Sequence, residues 1–321
     1  MRLKLVPDET TWDFFRHARL TFGASVVAVI VSVFLFLSMG LNFGIDFRGG
    51  TTIRTDAEQA VDVGAYRDAI APLGLGDVSI TQVFDPARPD LNVTQIRIEA
   101  QEGVESVSET TVAAVRDALQ AVDPSLTFQE VSSVGPKVSG ELIKAAVYAV
   151  LAAMGAVLVY IWLRFEWQFS VGAVAALVHD VLITIGVFSL LQIKFDLAII
   201  AALLTIVGYS LNDTVVVFDR LRENLRKYKK MELREVMNLS VNETLSRTVM
   251  TSFTTLLALL ALYFLGGDVI RGFVFAMIMG VVIGTYSSVF VAKNIVLFLG
   301  VKRDWSKTDA SKGNQYANID A

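Results

Sequence analysis

The chain has 321 residues, of which 54% are hydrophobic and only 19% charged, with a mean hydropathy of +0.54. That balance excludes a single soluble domain and points to lipid as part of the solvent. The absence of cysteine excludes disulfides and thiolate chemistry, and the formal charge of −4, spread over several environments, names no partner.

Six segments are long and apolar enough to cross a bilayer core, which takes about 20 helical residues: 20–41, 142–163, 168–191, 197–218, 248–266 and 272–292. The first is long for a signal peptide and lacks a small-x-small cleavage site, so it is expected to remain as an anchor. Basic residues crowd one set of flanks. Arg2, Lys4, Arg16 and Arg19 precede the first span, Arg220 to Arg234 supply seven between the fourth and fifth, and Lys302, Arg303 and Lys307 follow the sixth. The short loops on the other side carry only Lys194 and Arg271. Retention of flanking Lys and Arg in the cytoplasm predicts that both termini are cytoplasmic and that residues 42–141 lie outside.

The outer segment follows the stretch GIDFRGG at 44–50. TTIRT reads as a strand; Val63, Tyr66, Ala69, Ile70 and Leu73 then fall at helical spacing. VSITQVF and VTQIRIE are strands separated by DPARPDLN, whose two prolines mark a loop. A second helix is predicted from about Ser106 to Val122, with Ser106 and Glu109 at capping-box spacing and Val112, Val115, Leu119 and Val122 on its apolar stripe. LTFQEV closes a β-α-β-β-α-β order, that of a ferredoxin-like split βαβ unit. SSVGPKVSGE is expected to be an extended joint to the second span, with Gly135, Pro136 and Gly140 as hinge positions. The reading is therefore an α-helical polytopic membrane protein with six transmembrane helices and an α+β ferredoxin-like periplasmic domain between the first two. Its parts are a cytoplasmic N-terminus at 1–19, the first span at 20–41, the outer domain at 42–141, a five-helix bundle at 142–299, and a cytoplasmic tail at 300–321 whose polar end is expected to be disordered.

Inside the spans, polar residues are expensive. An ionised Asp at a helix centre costs about 2.5–3.5 kcal/mol on insertion scales. Asp213 stands in the fourth span beside Asn212 and one turn from Tyr209 and Ser210, so this polar patch is expected to face the bundle interior. His179 and Asp180 form a second polar point in the third span. Arg247, where the chain enters the fifth span, can reach the depth of Asp213 by snorkelling inward. From residues alone, each of these is either a transport group or a polar tie between helices. A proton carrier must change protonation near neutrality, far from the ordinary Asp value of about 3.9. Burial favours the neutral acid and a nearby guanidinium the carboxylate. Gly44, Gly49 and Gly50 read as a turn that lets backbones approach closely where the outer domain meets the membrane, while Asp46 is open to a contact with either a partner or a substrate.

Other chemistry has little support. Two intramembrane aspartates could form an aspartyl protease dyad, but Asp213 sits in SLND without a glycine-rich signature. With only two histidines and no HExxH, zinc catalysis is unsupported; no Walker A motif is present, and no metal or cofactor is expected. The run RLRENLRKYKK is a topology signal with affinity for anionic lipid headgroups, not a nucleic-acid site. Small residues at Gly172, Ala176, Gly280 and Gly284 permit close helix packing.

GIDFRGG after the first span, LVHDVLIT in the third and VGYSLNDTVVVFDRLREN in the fourth, in that order, resemble the SecD/SecF family of bacterial protein-export membrane proteins, within the resistance-nodulation-division superfamily. The resemblance runs from the first span to the sixth. It implies a non-enzymatic half-transporter of the inner membrane that pairs with SecD, works beside the Sec translocation channel, and uses the proton motive force to help an unfolded preprotein leave on the periplasmic side. It also implies proton-relay roles for Asp213 and Arg247. A half-unit of a small-molecule or lipid exporter of the same superfamily is the closest rival, although such exporters usually carry twelve helices in one chain.

Overall fold

The computed structural model describes residues 7, 10–76, 78–84, 89–99 and 107–301. Arg2, Lys4, Lys302, Arg303, Lys307, the predicted cap Ser106, part of the DPARPDLN loop and the polar tail lie outside the described residues.

Six helices have the length and apolarity to cross a membrane. They are α1 (Ala18–Met39), α5 (Pro136–Arg164), α6 (Trp167–Leu191), α7 (Leu197–Lys227), α8 (Leu233–Leu265), and α9 (Asp268–Ser287) continued through a π-helical turn (Ser288–Ala292) into α10 (Lys293–Leu299). Their apolar windows sort them into two layers. Those of α6, α7 and the α9 span are 50%, 44% and 56% buried within the chain, whereas those of α1, α5 and α8 are 11%, 6% and 11% buried. The first three are the interior of the bundle, and the others turn most of their apolar surface outward. Small residues set how closely the interior helices meet. A Cβ on Gly280 of α9 would run into Ile206 of α7, one on Gly186 of α6 into Ser32 of α1, and one on Gly172 would lie 2.8 Å from the Ala292 carbonyl.

Between α1 and α5 the chain builds a one-turn helix α2 (Ile45–Arg48), then β1 (Gly50–Ala57), α3 (Val63–Ile70), β2 (Val78–Val83), β3 (Asn92–Glu99), α4 (Glu109–Val122) and β4 (Thr127–Val134). The four strands form an antiparallel sheet in the order β2-β3-β1-β4, the ferredoxin-like arrangement. Alternation selects its core face: Ile53, Ile96 and Ile98 are fully buried against Tyr66 and Ile70 of α3 and Val115 and Leu119 of α4.

Several local expectations need correction. The α4 cap is Ser108, whose side chain accepts from the Thr111 amide, and Val122 at the helix end is exposed. GIDFRGG is not a simple helix-to-strand turn, because it contains α2. The expected extended joint is absent: Ser132, Ser133 and Val134 pair with β1, Gly135 caps α5, and the helix runs unbroken through Gly140. Pro136 sits at the first helical position, where its missing N–H costs nothing. Helices α7 and α8 also extend well beyond their apolar segments, so much of the basic run is helical.

At the opposite end of the bundle from the sheet, the N-terminal segment folds onto α8. Asn242 Oδ1 accepts from the Trp12 amide at 2.9 Å and from Thr10 Oγ1 at 2.7 Å, while Asn238 Oδ1 accepts from the Phe14 amide at 2.9 Å. This places the rings of Phe14 and Phe15, with Phe290, around the buried ammonium of Lys293, at 4.8, 4.3 and 5.3 Å from it. Among the described residues its nitrogen has no hydrogen-bond partner, and the ring faces are what surround it.

Candidate functional site

Two carboxylates occupy the centre of the bundle in opposite circumstances. Asp180 on α6 is fully buried and fully bonded. Its Oδ2 accepts from Ser210 Oγ of α7 at 2.6 Å and from Ser287 Oγ of α9 at 2.8 Å, and its Oδ1 lies 2.9 Å from His179 Nδ1. The His179 ring stacks on Tyr286, with centroids 6.2 Å apart. Tyr286 in turn donates to the Thr21 carbonyl and receives a hydrogen bond from Ser25, both on α1. The network therefore joins four helices around one acceptor. Such a network is costly to break, since each partner removed strands a buried polar group.

Asp213, one turn along α7 from Ser210, is 3% exposed, and its Oδ2 has no hydrogen-bond partner among the described residues. Thr248 Oγ1 on α8 is likewise buried and unpartnered. Arg247 is close enough to act on the Asp213 carboxylate electrostatically, but the two form no ion pair among the described residues. Arg247 is exposed at the bundle periphery. Asn212 is also exposed, which corrects its expected place beside Asp213 in the interior. Consecutive helical residues point about 100° apart, so sequence adjacency does not confer a shared face. Asp180 and Asp213 share no hydrogen bond, and Asp180 is already occupied by Ser210, Ser287 and His179, so a protease dyad has no geometric support. Among the described residues no group of His, Cys, Asp or Glu is arranged to hold a metal ion.

The residues after the first span form a second locus, at the junction of sheet domain and bundle. Residues 42–44 run beside Phe195 in the loop before α7. The Gly44 amide donates to the Phe195 carbonyl and the Phe195 amide to that of Asn42, each at 2.7 Å. A Cβ on Gly44 would lie 3.3 Å from both Asp196 Cβ and Lys194 Cε, which is why glycine stands there. Asp46 Oδ2 accepts from the Leu197 amide at 3.0 Å, and Asp196 caps the same helix by accepting from the Ile199 amide. Burial pushes the Asp196 carboxyl above its ordinary range; burial, reinforced by Arg97, holds the Lys194 ammonium below its own. Gly49 and Gly50 have φ of 77° and 126°, values that only glycine adopts without strain.

Sequence reasoning identified Asp213, Asp180, His179 and the glycine stretch, because charge in a span and paired glycines are visible signals. It missed Ser287, Tyr286 and Ser25, whose partners lie on other helices and leave no local mark.

The family model "Protein export membrane protein SecD/SecF, C-terminal" matches residues 114–302, more than half of the chain, and "SecD/SecF GG Motif" matches residues 34–61. A relative from Cereibacter sphaeroides named "Protein translocase subunit SecF" is 64% identical over 321 residues, covering 100% of this chain and 99% of its own length. One of the same name from Vibrio alginolyticus is 41% identical over 303 residues, covering 94% of each. Among solved structures, the translocon-associated membrane protein SecDF from a Thermus species superposes with a TM-score of 0.80 at 36% identity. SecDF in a super-membrane-facing form gives 0.68 at 38%. Each match covers 93% of this chain, which spans 40% of the SecDF chain.

Proposed function

The chain belongs to the SecD/SecF family of protein-export membrane proteins and is an accessory subunit of the Sec translocase, and from that premise we propose that it converts proton flow into motion of its outer domain. In this reading it sits in the bacterial inner membrane with both termini in the cytoplasm, pairs with SecD, and assists release of an unfolded preprotein on the periplasmic side. The supporting observation is the contrast between the two carboxylates. A structural tie is a bonded group, as Asp180 is; Asp213 is buried with an unpartnered oxygen and Arg247 near but apart.

Burial favours a neutral acid and an approaching guanidinium favours the carboxylate. Movement of Arg247 toward and away from Asp213 would therefore unload and load a proton. A membrane potential supplies about 2.3 kcal/mol per elementary charge per 100 mV, enough to bias two conformations of the bundle. Asp180, with His179, ties α7 to α6 and α9 through Ser210 and Ser287, so in this reading α7 moves together with them.

The experiment is the export rate of a secreted protein in cells with SecD present and membrane levels matched. Asp213→Asn is expected to assemble normally and to slow export by about tenfold or more, equivalent to ~1.4 kcal/mol of lost coupling. Unchanged export at matched abundance would refute the relay role of Asp213.

A further inference from the structure

The junction of sheet domain and bundle bears on how motion at Asp213 would leave the membrane. Helix α7 runs from Leu197 to Lys227 without a proline or break, and Asp213 lies sixteen residues beyond Leu197, about 24 Å along the axis at ~1.5 Å per residue. A displacement of α7 at Asp213 is therefore delivered to its first turn. What grips that turn is the segment 42–48: two backbone hydrogen bonds to Phe195 and the Asp46 carboxylate on the Leu197 amide. Phe47 and Phe195 are buried, and their rings lie 6.0 Å apart; Phe188 adds its ring 6.0 Å from Phe195. The carboxylate satisfies one of the orphan amides of the helix start and sits at the positive end of its dipole.

Immediately beyond this grip the backbone changes character. Gly49 and Gly50 have positive φ, and Gly50 is already the first residue of β1, paired with Val134, the last residue of β4. The next residue, Gly135, opens α5. Both covalent crossings between sheet and bundle thus meet at one rung of the sheet, where Gly50 is paired with Val134 on one side and Glu99 on the other.

We propose that Asp46 is the coupling residue of this subunit: it fastens residues 42–48 to the first turn of α7 so that they travel with the helix bearing Asp213, and the sheet domain turns on them at Gly49–Gly50. The inference rests on the relay reading of Asp213. Asp46 is a positioning residue and touches no proton or substrate in this role.

The test uses the full chain in complex with a SecD partner lacking reactive cysteines. Because the chain has no cysteine, Ala113→Cys on α4 and Lys229→Cys beyond α7 give a unique spin-label pair spanning the two parts. The distance distribution is compared with and without Asp213→Asn, alongside amide exchange at the start of α7 and export rate. In the otherwise unaltered chain, Asp213→Asn is expected to shift the distance. Asp46→Ala should abolish that shift, speed amide exchange at Leu197, and lower export to the level of Asp213→Asn. Asp46→Asn keeps an acceptor oxygen and should preserve all three.

A full shift in Asp46→Ala overturns the coupling role and leaves the relay reading standing. Loss of the shift in Asp46→Asn equal to that in Asp46→Ala also overturns it, because the acceptor would then not be what matters. No shift on Asp213→Asn, with export intact, removes the relay reading and this inference with it. Should Asp46→Ala fail to assemble, Gly50→Ala decides: it should blunt the shift while leaving Leu197 amide exchange unchanged, and an undiminished shift overturns the hinge.

Discussion

At the scale of single residues, burial alone does not separate function from structure; partnership does. Asp180 and Asp213 are equally conspicuous in the sequence, and only the hydrogen bonds from Ser210 and Ser287 tell them apart. Those partners lie thirty and more than a hundred residues away, beyond the reach of any local pattern. Asn212 illustrates the opposite error, since its position beside Asp213 suggested a shared face that helical geometry denies. The sheet domain offers a residue-level pair whose pH behaviour can be worked out. Burial, with the Asp123 charge beside it, pushes the Tyr66 hydroxyl up from 10.0 to about 12, and it donates to Asp123 Oδ2 at 3.3 Å. Hydrogen bonds from Ser125 hold the Asp123 carboxyl below 3.8. A raised tyrosine stabilises the fold fully below its unfolded value and loses that contribution as pH rises toward about 12. The lowered aspartate contributes above its unfolded value and fails as pH falls. The difference in melting temperature between the chain and Tyr66→Phe should accordingly be flat from neutrality to about 10 and close above it. A difference that stays constant through that alkaline range would show that the hydroxyl is not held in its neutral form.

At the scale of elements, apolar runs marked where the chain crosses lipid but not where its helices end. Helix α8 begins at Leu233, fifteen residues before its predicted span, because residues past the lipid are stabilised by other means. Arg220 pairs with Glu223 on its own helix and with Glu243 on α8, each at 2.7 Å, and Asn224 donates to Ser240 and Glu243. These bonds zip α7 to α8 beyond the apolar segment, and a hydropathy window cannot register them. The strands and helices of the sheet domain were legible because their periods of 2 and 3.6 fall on buried positions such as Ile53, Ile96, Val115 and Leu119. Small residues at helix crossings were also visible, and the structure ranks them. Gly280 has no room for a side chain against Ile206, whereas Gly208 faces open space. Gly280→Val should lower the melting temperature of the solubilised protein by overpacking, at about 1–3 kcal/mol. Gly208→Val should do far less, and equal losses would mean that helix propensity rather than the α7–α9 contact sets the cost.

At the scale of the whole molecule, the β-α-β-β-α-β order carried the sheet topology with it, since a split βαβ unit leaves β3 between β1 and β2. The attachment of that domain was not legible, because residues 42–46 bond to residues about 150 positions later. Nor was the side on which the bundle is incomplete, which the exposed polar groups now indicate. Three helices turn most of their surface outward, and on most of it the exposed residues are apolar, such as Leu37 on α1. Along neighbouring α7 and α8, however, Asn212 is exposed within a span and Arg247 is exposed where one begins. An exposed Asn inside a span leaves its amide without water, and an exposed guanidinium at the rim of one must snorkel or find acceptors, so this face is less suited to lipid than the apolar faces around it. It is suited to the other half of a transporter, which can offer acceptors to the guanidinium and cover the opening beside Gly208. In membranes containing the SecD–partner complex, Gly208→Cys or Asn212→Cys should therefore cross-link to cysteines placed along the spans of SecD. Leu37→Cys, at the same abundance, should instead react only with lipid-soluble reagents. Cross-links through Leu37 and none through Gly208 or Asn212 would put the partner on α1 and leave Arg247 to be solvated by water entering the bundle.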